Sequence, residues 1–204
     1  MNTFSTRTPC VGNNPQQVLP PCGFSALVRR VLRGRALLAI AVLTPFVSTA
    51  ADWTVYLHGA GPVRIGMSLA TVRRVLGDQA ARLEGNAPEL PLNKCAYLES
   101  KRVPQGLGFM FAGGRVVRID VSRAGIRTAT GVGVGDTEER IKQLYPGRIT
   151  VEPHPYEPQG HYLNYSPAGD DERQYGIVFE TDGARETSFR TGILAAIALV
   201  EGCS

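Results

Sequence analysis

One segment of the chain is written twice. Ile65-Gly-Met-Ser-Leu-Ala-Thr-Val-Arg-Arg-Val-Leu-Gly77 lies over Val134-Gly-Asp-Thr-Glu-Glu-Arg-Ile-Lys-Gln-Leu-Tyr-Pro-Gly147 at an offset of 69, with one extra residue before the second closing glycine. Each copy reads as a short helix. Ser68 or Thr137 can accept a backbone N–H at the N-cap, and Asp136 with Glu139 offers an alternative capping box. Apolar residues at 69, 72, 75 and 76, and at 141, 144 and 145, share one helical face. Gly77 and Pro146-Gly147 stop the two helices.

A hairpin follows in each half. Residues 109–111 and 116–121 flank Ala112-Gly-Gly-Arg115, and residues 177–179 and 186–189 flank Thr181-Asp-Gly-Ala184. Gly-Gly and Asp-Gly favour tight turns because they tolerate positive φ. Val117, Ile119 and Val121 alternate as a half-buried strand should, whereas Glu186 and Ser188 weaken the last one. Residues 54–58, 95–99 and 161–165 read as further strands. The expected fold class is α+β, a tandem of two similar helix-plus-antiparallel-sheet halves, 51–127 and 128–204. Either half alone would be marginal, so both should pack into one mature domain.

The first 50 residues stand apart. Arg29, Arg30, Arg33 and Arg35 precede an apolar run over residues 36–47, and the small residues Ser48-Thr49-Ala50 follow. A basic region, a short apolar stretch and a small-x-small site make 28–50 a signal peptide. The run is well short of the ~20 residues needed to cross a bilayer. Residues 1–27, with Pro15, Pro20 and Pro21, fit neither a signal nor a domain, and Val28 is the expected start of translation. Cleavage after Ala50 leaves no cysteine at the new terminus, so a periplasmic or secreted protein without a membrane anchor is expected.

Export changes the charge. The 204-residue chain is formally +4, but residues 1–50 hold five arginines and no carboxylate. From residue 51 onward 17 basic face 18 acidic residues, a net −1 that argues against nucleic acid as partner. Residues 51–127 carry eleven basic and six acidic groups, and residues 128–204 six and twelve, +5 against −6. Halves so charged form a dipole that can orient on a charged partner or attract each other. Cys10 and Cys22 fall in the leader. Cys95 and Cys203, neither in a C-x-x-C motif, most simply pair in an oxidising compartment.

Gly66-Met-Ser-Leu-Ala-Thr-Val-Arg-Arg-Val-Leu-Gly77 resembles the Gly-Met-Thr-x-x-x-Val-x-x-x-Leu-Gly signature of the SmpA/OmlA outer-membrane lipoproteins and the β-lactamase-inhibitor-protein-like fold. The resemblance covers about a dozen residues and is echoed more weakly at 135–147. It implies an envelope or secreted α+β protein that works by binding other proteins. The closing Val200-Glu-Gly-Cys203 also resembles uncharacterised secreted bacterial proteins.

Motifs of catalysis are sparse. Gly131-Val-Gly-Val-Gly135 lacks the G-x-G-x-x-G spacing and a following Gly-Lys-Ser/Thr. Ser68 lacks the second glycine of G-x-S-x-G, and no His-Glu-x-x-His occurs. The stretch 152–162 is the most loaded. His154 and His161 with Glu152 or Glu157 offer ligands to zinc, or else stand solvated on a proline-stiffened loop. Five of the seven tyrosines (145, 156, 162, 165 and 175) crowd residues 145–175. Tyrosine suits recognition surfaces, and it equally suits half-buried cross-strand positions.

The expected function is non-catalytic protein binding, inhibitor-like or envelope-associated, with Tyr156, His161, Tyr162 and Tyr165 as the contact surface. No cofactor is expected, and the partner is another protein of the envelope or exterior. The alternative is a small periplasmic hydrolase or metal enzyme using His154, Glu157 and His161.

Overall fold

The two helix signatures form where the caps place them. In the computed structural model, which describes residues 52–86 and 94–203, α1 spans Leu69–Leu76 and α2 spans Glu138–Leu144. Ser68 Oγ accepts from the Thr71 N–H at 3.3 Å, and Thr137 Oγ1 accepts from the Arg140 N–H at 3.2 Å. Thr137 is thus the cap of α2. Asp136 is drawn away by the Gly133 N–H (3.0 Å) and the Arg127 guanidinium (2.9 Å), so the alternative capping box does not form. Ser68→Ala should destabilise the protein by about 1 kcal/mol, read as a lower denaturation midpoint with an unchanged m-value.

Most of the chain is β. A small sheet of β1 (Val55–Tyr56), β2 (Gly59–Ala60) and β3 (Val63–Arg64) replaces the single strand expected over 54–58, because residues 57–58 turn. The large sheet has eight antiparallel strands: β4 (Arg82–Leu83), β5 (Cys95–Glu99), β6 (Leu107–Ala112), β7 (Arg115–Val121), β8 (Ile149–Pro153), β9 (His161–Tyr165), β10 (Tyr175–Thr181) and β11 (Glu186–Ile193). Their order is β4-β5-β6-β7-β11-β10-β9-β8. The leader and signal segment, 1–27 and 28–50, lie outside the described residues.

Gly113 and Gly114 both take positive φ, 55° and 72°, and join β6 to β7 in a two-residue turn that needs both. The Asp182-Gly183 turn is longer, four residues, because Asp182 Oδ1 gathers the Ala184 and Arg185 N–H groups (2.9 and 2.8 Å). Each half also ties its helix start to its last strand. Gly66 donates to Val116 O and Arg115 Nη1 donates to Gly66 O, both at 2.8 Å. Gly135 donates to Glu186 O at 2.8 Å, and Arg185 Nη1 to Gly135 O at 2.7 Å. The last strands of the halves, β7 and β11, then pair at the middle of the sheet. There Gly192 is required, since a Cβ would stand 2.3 Å from Val117 O.

Alternation gives the sheet two faces. On the inner face Phe109, Ile119, Leu163, Phe179 and Phe189 meet Val72 of α1, Ile141 of α2 and Val55, Ala60 and Val63 of the small sheet. Each fully buried Phe contributes roughly 2–3 kcal/mol by area. The outer face is crossed by the C-terminal segment. The apolar run over residues 193–200 is not one element: Ile193 ends β11, and Leu194–Ile197 form the short helix α3. Ala196 and Ile197 are buried while Leu194, Leu199 and Val200 stay exposed.

Two arginines hold this segment down. Arg118 and Arg190, each 4% exposed, pair with Asp120 and Glu180 on the same face. Arg118 Nη1 also donates to the Ala196 and Leu199 carbonyls, and Arg190 Nε to the Ile197 carbonyl at 2.6 Å. Cys203 closes the segment onto β5 through a disulfide with Cys95, Cα–Cα 5.6 Å. That bond places the protein in an oxidising compartment. No helix among the described residues is long and apolar enough to cross a membrane.

Candidate functional site

The loaded stretch of the sequence becomes the β8–β9 hairpin and its loop, residues 154–160. Pro153, Pro155 and Pro158 forbid a regular helix there, and His154 organises the turn instead. Its Nδ1 accepts the Tyr156 and Glu157 N–H groups at 3.1 and 3.0 Å, while the His154 N–H donates to Gly160 O at 2.9 Å. Both hydrogen bonds at Nδ1 need that nitrogen's lone pair, so this imidazole is a loop cap. Its ring sits edge-on to Tyr162 with centroids 4.6 Å apart.

His161 is taken to the other face. Its Nδ1 lies 2.7 Å from Glu138 Oε1, the same oxygen that accepts from Thr181 Oγ1 at 2.6 Å. Lys142 Nζ approaches Glu138 Oε2 at 3.3 Å. Burial raises the Glu138 carboxyl, but bonds from Thr181, His161 and Lys142 outweigh it and hold it below its ordinary range. A hydroxyl–imidazole–carboxylate set is present, yet its wiring is not that of a nucleophile. Thr181 is buried and gives its proton to the carboxylate, whereas an activated hydroxyl gives it to the imidazole. The network ties the first turn of α2 to β9 and β10.

His154 and His161 therefore point to opposite faces, and Glu157 reaches His154 only through its backbone. Among the described residues no group of three or more His, Cys, Asp or Glu could hold one metal ion. Tyr165 turns its ring to the core side, where it packs on Tyr145 with centroids 4.7 Å apart, and stays partly buried.

What the outer face offers is a cleft of about 420 Å³ between the sheet and α3. Glu152, Tyr162, Asn164 and Arg190 line its sheet side, and Leu194 and Ile197 its helix side. Strand alternation puts Glu152, Tyr162 and Asn164 there together. Arg190 stands 5.1 Å over the Tyr162 ring, a cation–π pair inside a desolvated setting. Burial, then the charge of Arg118, lowers the Arg190 pKa, while Tyr162 and Asp120 oppose that shift. The Tyr162 hydroxyl is buried, and among the described residues no group meets it in ordinary hydrogen-bond geometry.

No protein-family model matches the chain, and no curated protein is significantly similar to it. The crystal structure of the uncharacterized protein yfeY from Escherichia coli is similar at a TM-score of 0.39 and 15% sequence identity, over 68% of this chain and 99% of that chain. The twelve-residue resemblance at 66–77 thus has no family-model match behind it.

Around the cleft the rim is apolar and exposed. Leu194 is 47% exposed and Val200 38% exposed on its lining, and beside them Tyr156 is 65% exposed with its hydroxyl 3.2 Å from Glu201 Oε1. Of the four residues expected at a contact surface, Tyr156 and Tyr162 reach this rim or its floor. Tyr165 lines the cleft with its ring turned to the core side, and His161 does not reach it. Arg190 and Leu194 were invisible as site residues, since a strand arginine reads as solvent-facing and a leucine in an apolar run reads as core. Their role follows from α3 folding back over the sheet, which no local pattern announces.

Proposed function

We propose that this is an exported, non-catalytic protein-binding protein of the cell envelope or exterior, inhibitor-like in action. The observation that carries the reading is the rim of the outer-face cleft. Leucine, valine and tyrosine side chains stand exposed there, around a floor of polar groups and a desolvated arginine. Tyrosine and arginine are the residue types enriched where proteins meet, and exposed leucine and valine gain by being covered. The disulfide and the signal segment at 28–50 together support export to a periplasmic or secreted location. The equivalent backbone ties at Gly66 and Gly135 support descent of the two halves, 51–127 and 128–204, from one duplicated unit. The alternative, a hydrolase or metal enzyme on His154, Glu157 and His161, draws no support from imidazoles facing opposite ways.

The test begins with envelope extract passed over the immobilised protein. The captured partner is then titrated against the native protein and variants. Tyr156→Ala and Leu194→Ser should each weaken binding roughly tenfold or more, while His161→Ala, on the far face, should leave it unchanged. Equal affinity for all three would overturn this surface. Failure of the native protein to retain any partner would overturn the binding role.

A further inference from the structure

The two edges of the large sheet are unlike. At one end β4 is two residues long and runs into a 3-10 turn, Glu84–Asn86, so it offers little backbone to a newcomer. At the other end β8 has five residues, and all but Ile149 are exposed. Natural sheets guard such edges with lysine, inward charges or bulges. Of such guards β8 carries only Glu152 and, at its close, Pro153, with no lysine and no bulge, and Val151 stands 43% exposed on it.

The direction of its free backbone groups can be worked out. Ser166 donates to Arg148 O at 3.1 Å and His154 to Gly160 O at 2.9 Å, both continuing the β8–β9 register. Antiparallel partners exchange hydrogen bonds at every second residue. Arg148, Thr150, Glu152 and His154 therefore turn their N–H and C=O groups toward β9. Ile149 and Val151 turn theirs outward, where β8 has no neighbouring strand among the described residues. Pro153 presents only a carbonyl outward.

We infer that β8 pairs with β8 of a second copy of this chain, antiparallel and centred on Thr150. In that register Ile149 of each copy exchanges two hydrogen bonds with Val151 of the other, so every outward N–H of the strand is used. Centring on Val151 instead would set Ile149 against Pro153, which has no N–H to return. The Thr150 register also places Arg148 opposite Glu152 of the second copy, twice by symmetry. Opposite charges at directly facing positions stabilise an antiparallel pair. Val151, exposed on the single chain, is covered by Ile149 of the other.

The pairing bears on the cleft. Arg148, Thr150 and Glu152 share the outer face, and Glu152 lines the cleft. Two sheets joined edge to edge carry their clefts on one common face, with each Glu152 countered by an arginine from the other copy. The inference goes beyond the protein-binding reading and stands whether or not a foreign partner exists.

Sedimentation velocity on the purified protein across a concentration series tests it. A reversible dimer is expected. Val151→Pro removes an outward N–H that the β8–β9 ladder does not use, and it should abolish the dimer while far-ultraviolet circular dichroism keeps its native form. Glu152→Arg, at an exposed site, should raise the dimer dissociation constant roughly tenfold by opposing like charges. Arg148→Glu combined with Glu152→Arg should restore the native value. A chain that stays monomeric at millimolar concentration, a dimer that persists in folded Val151→Pro, or a double variant no tighter than Glu152→Arg would each overturn the assignment.

Discussion

Glu186→Gln is expected to flatten a loss of stability that the native protein suffers between mildly acid and mildly alkaline pH. Glu186 opens β11 and is 2% exposed, and among the described residues neither carboxyl oxygen has a hydrogen-bond partner. Burial first, then the charge of Asp136, pushes its pKa up to about 8, with Arg127 pulling weakly the other way. In the unfolded chain the group titrates near its ordinary value of 4.5. Between those two values the folded protein holds a proton that the unfolded chain has released. Stability from this group is therefore full below about 4.5 and declines as pH rises through about 8. The accumulated loss is roughly 3–5 kcal/mol.

An amide keeps the shape and removes the charge, so the Gln variant should lack this slope and exceed the native protein at the alkaline end. Urea denaturation at about pH 5 and about pH 9 reads the effect directly. Parallel pH profiles for the two proteins would refute the assignment of the slope to Glu186. The first half shows what the site tolerates. Val116 makes the corresponding backbone bonds and is fully buried, so Glu186→Val should also be more stable than the native chain at neutral pH.

Loss of the disulfide is the second large effect. Cys95 and Cys203 close a loop of 108 residues. Restricting the unfolded chain by a loop that long stabilises the fold by at most about 4–5 kcal/mol. The Cys95→Ser/Cys203→Ser double variant should denature at correspondingly lower urea. Its damage should be uneven. Arg118 and Arg190 still hold the carbonyls of Ala196, Ile197 and Leu199, so α3 keeps its place while residues 200–203 lose theirs. Amide hydrogen exchange should rise sharply at Gly202 and remain slow across β7 and β11. Equal midpoints for the oxidised protein and the double variant would show that the bond contributes nothing.

Legibility followed the range of the forces. Helix caps at Ser68 and Thr137, the Gly113-Gly114 turn, and strands β5 and β9 were readable because each is decided within a few residues by hydrogen bonding or φ. Strands β4 and β8 were missed. Arg82–Leu83 is too short to show a period, and β8 lies on an edge, where no alternation is enforced by burial. Residue Glu186 was read as weakening a strand that in fact runs eight residues. A pattern cannot show that a carboxyl is buried neutral when the partner surface comes from residues 127–145. Nor could it separate Tyr162 from His161, whose side chains leave the same strand on opposite faces.

By itself the amino-acid sequence determined the capped helix starts, the tight turns and the charge contrast between residues 51–127 and 128–204, and it pointed to the pairing of Cys95 with Cys203. These depend on neighbours in the chain or on simple counting. Only the tertiary structure decided that β7 and β11 meet at Gly192, that two strand arginines capture the C-terminal segment, and that a cleft opens beside it. It also decided that Glu138 claims His161 and that β8 is left as a free edge. Those outcomes rest on contacts between residues far apart in the chain, where packing and desolvation, rather than local propensity, select the arrangement.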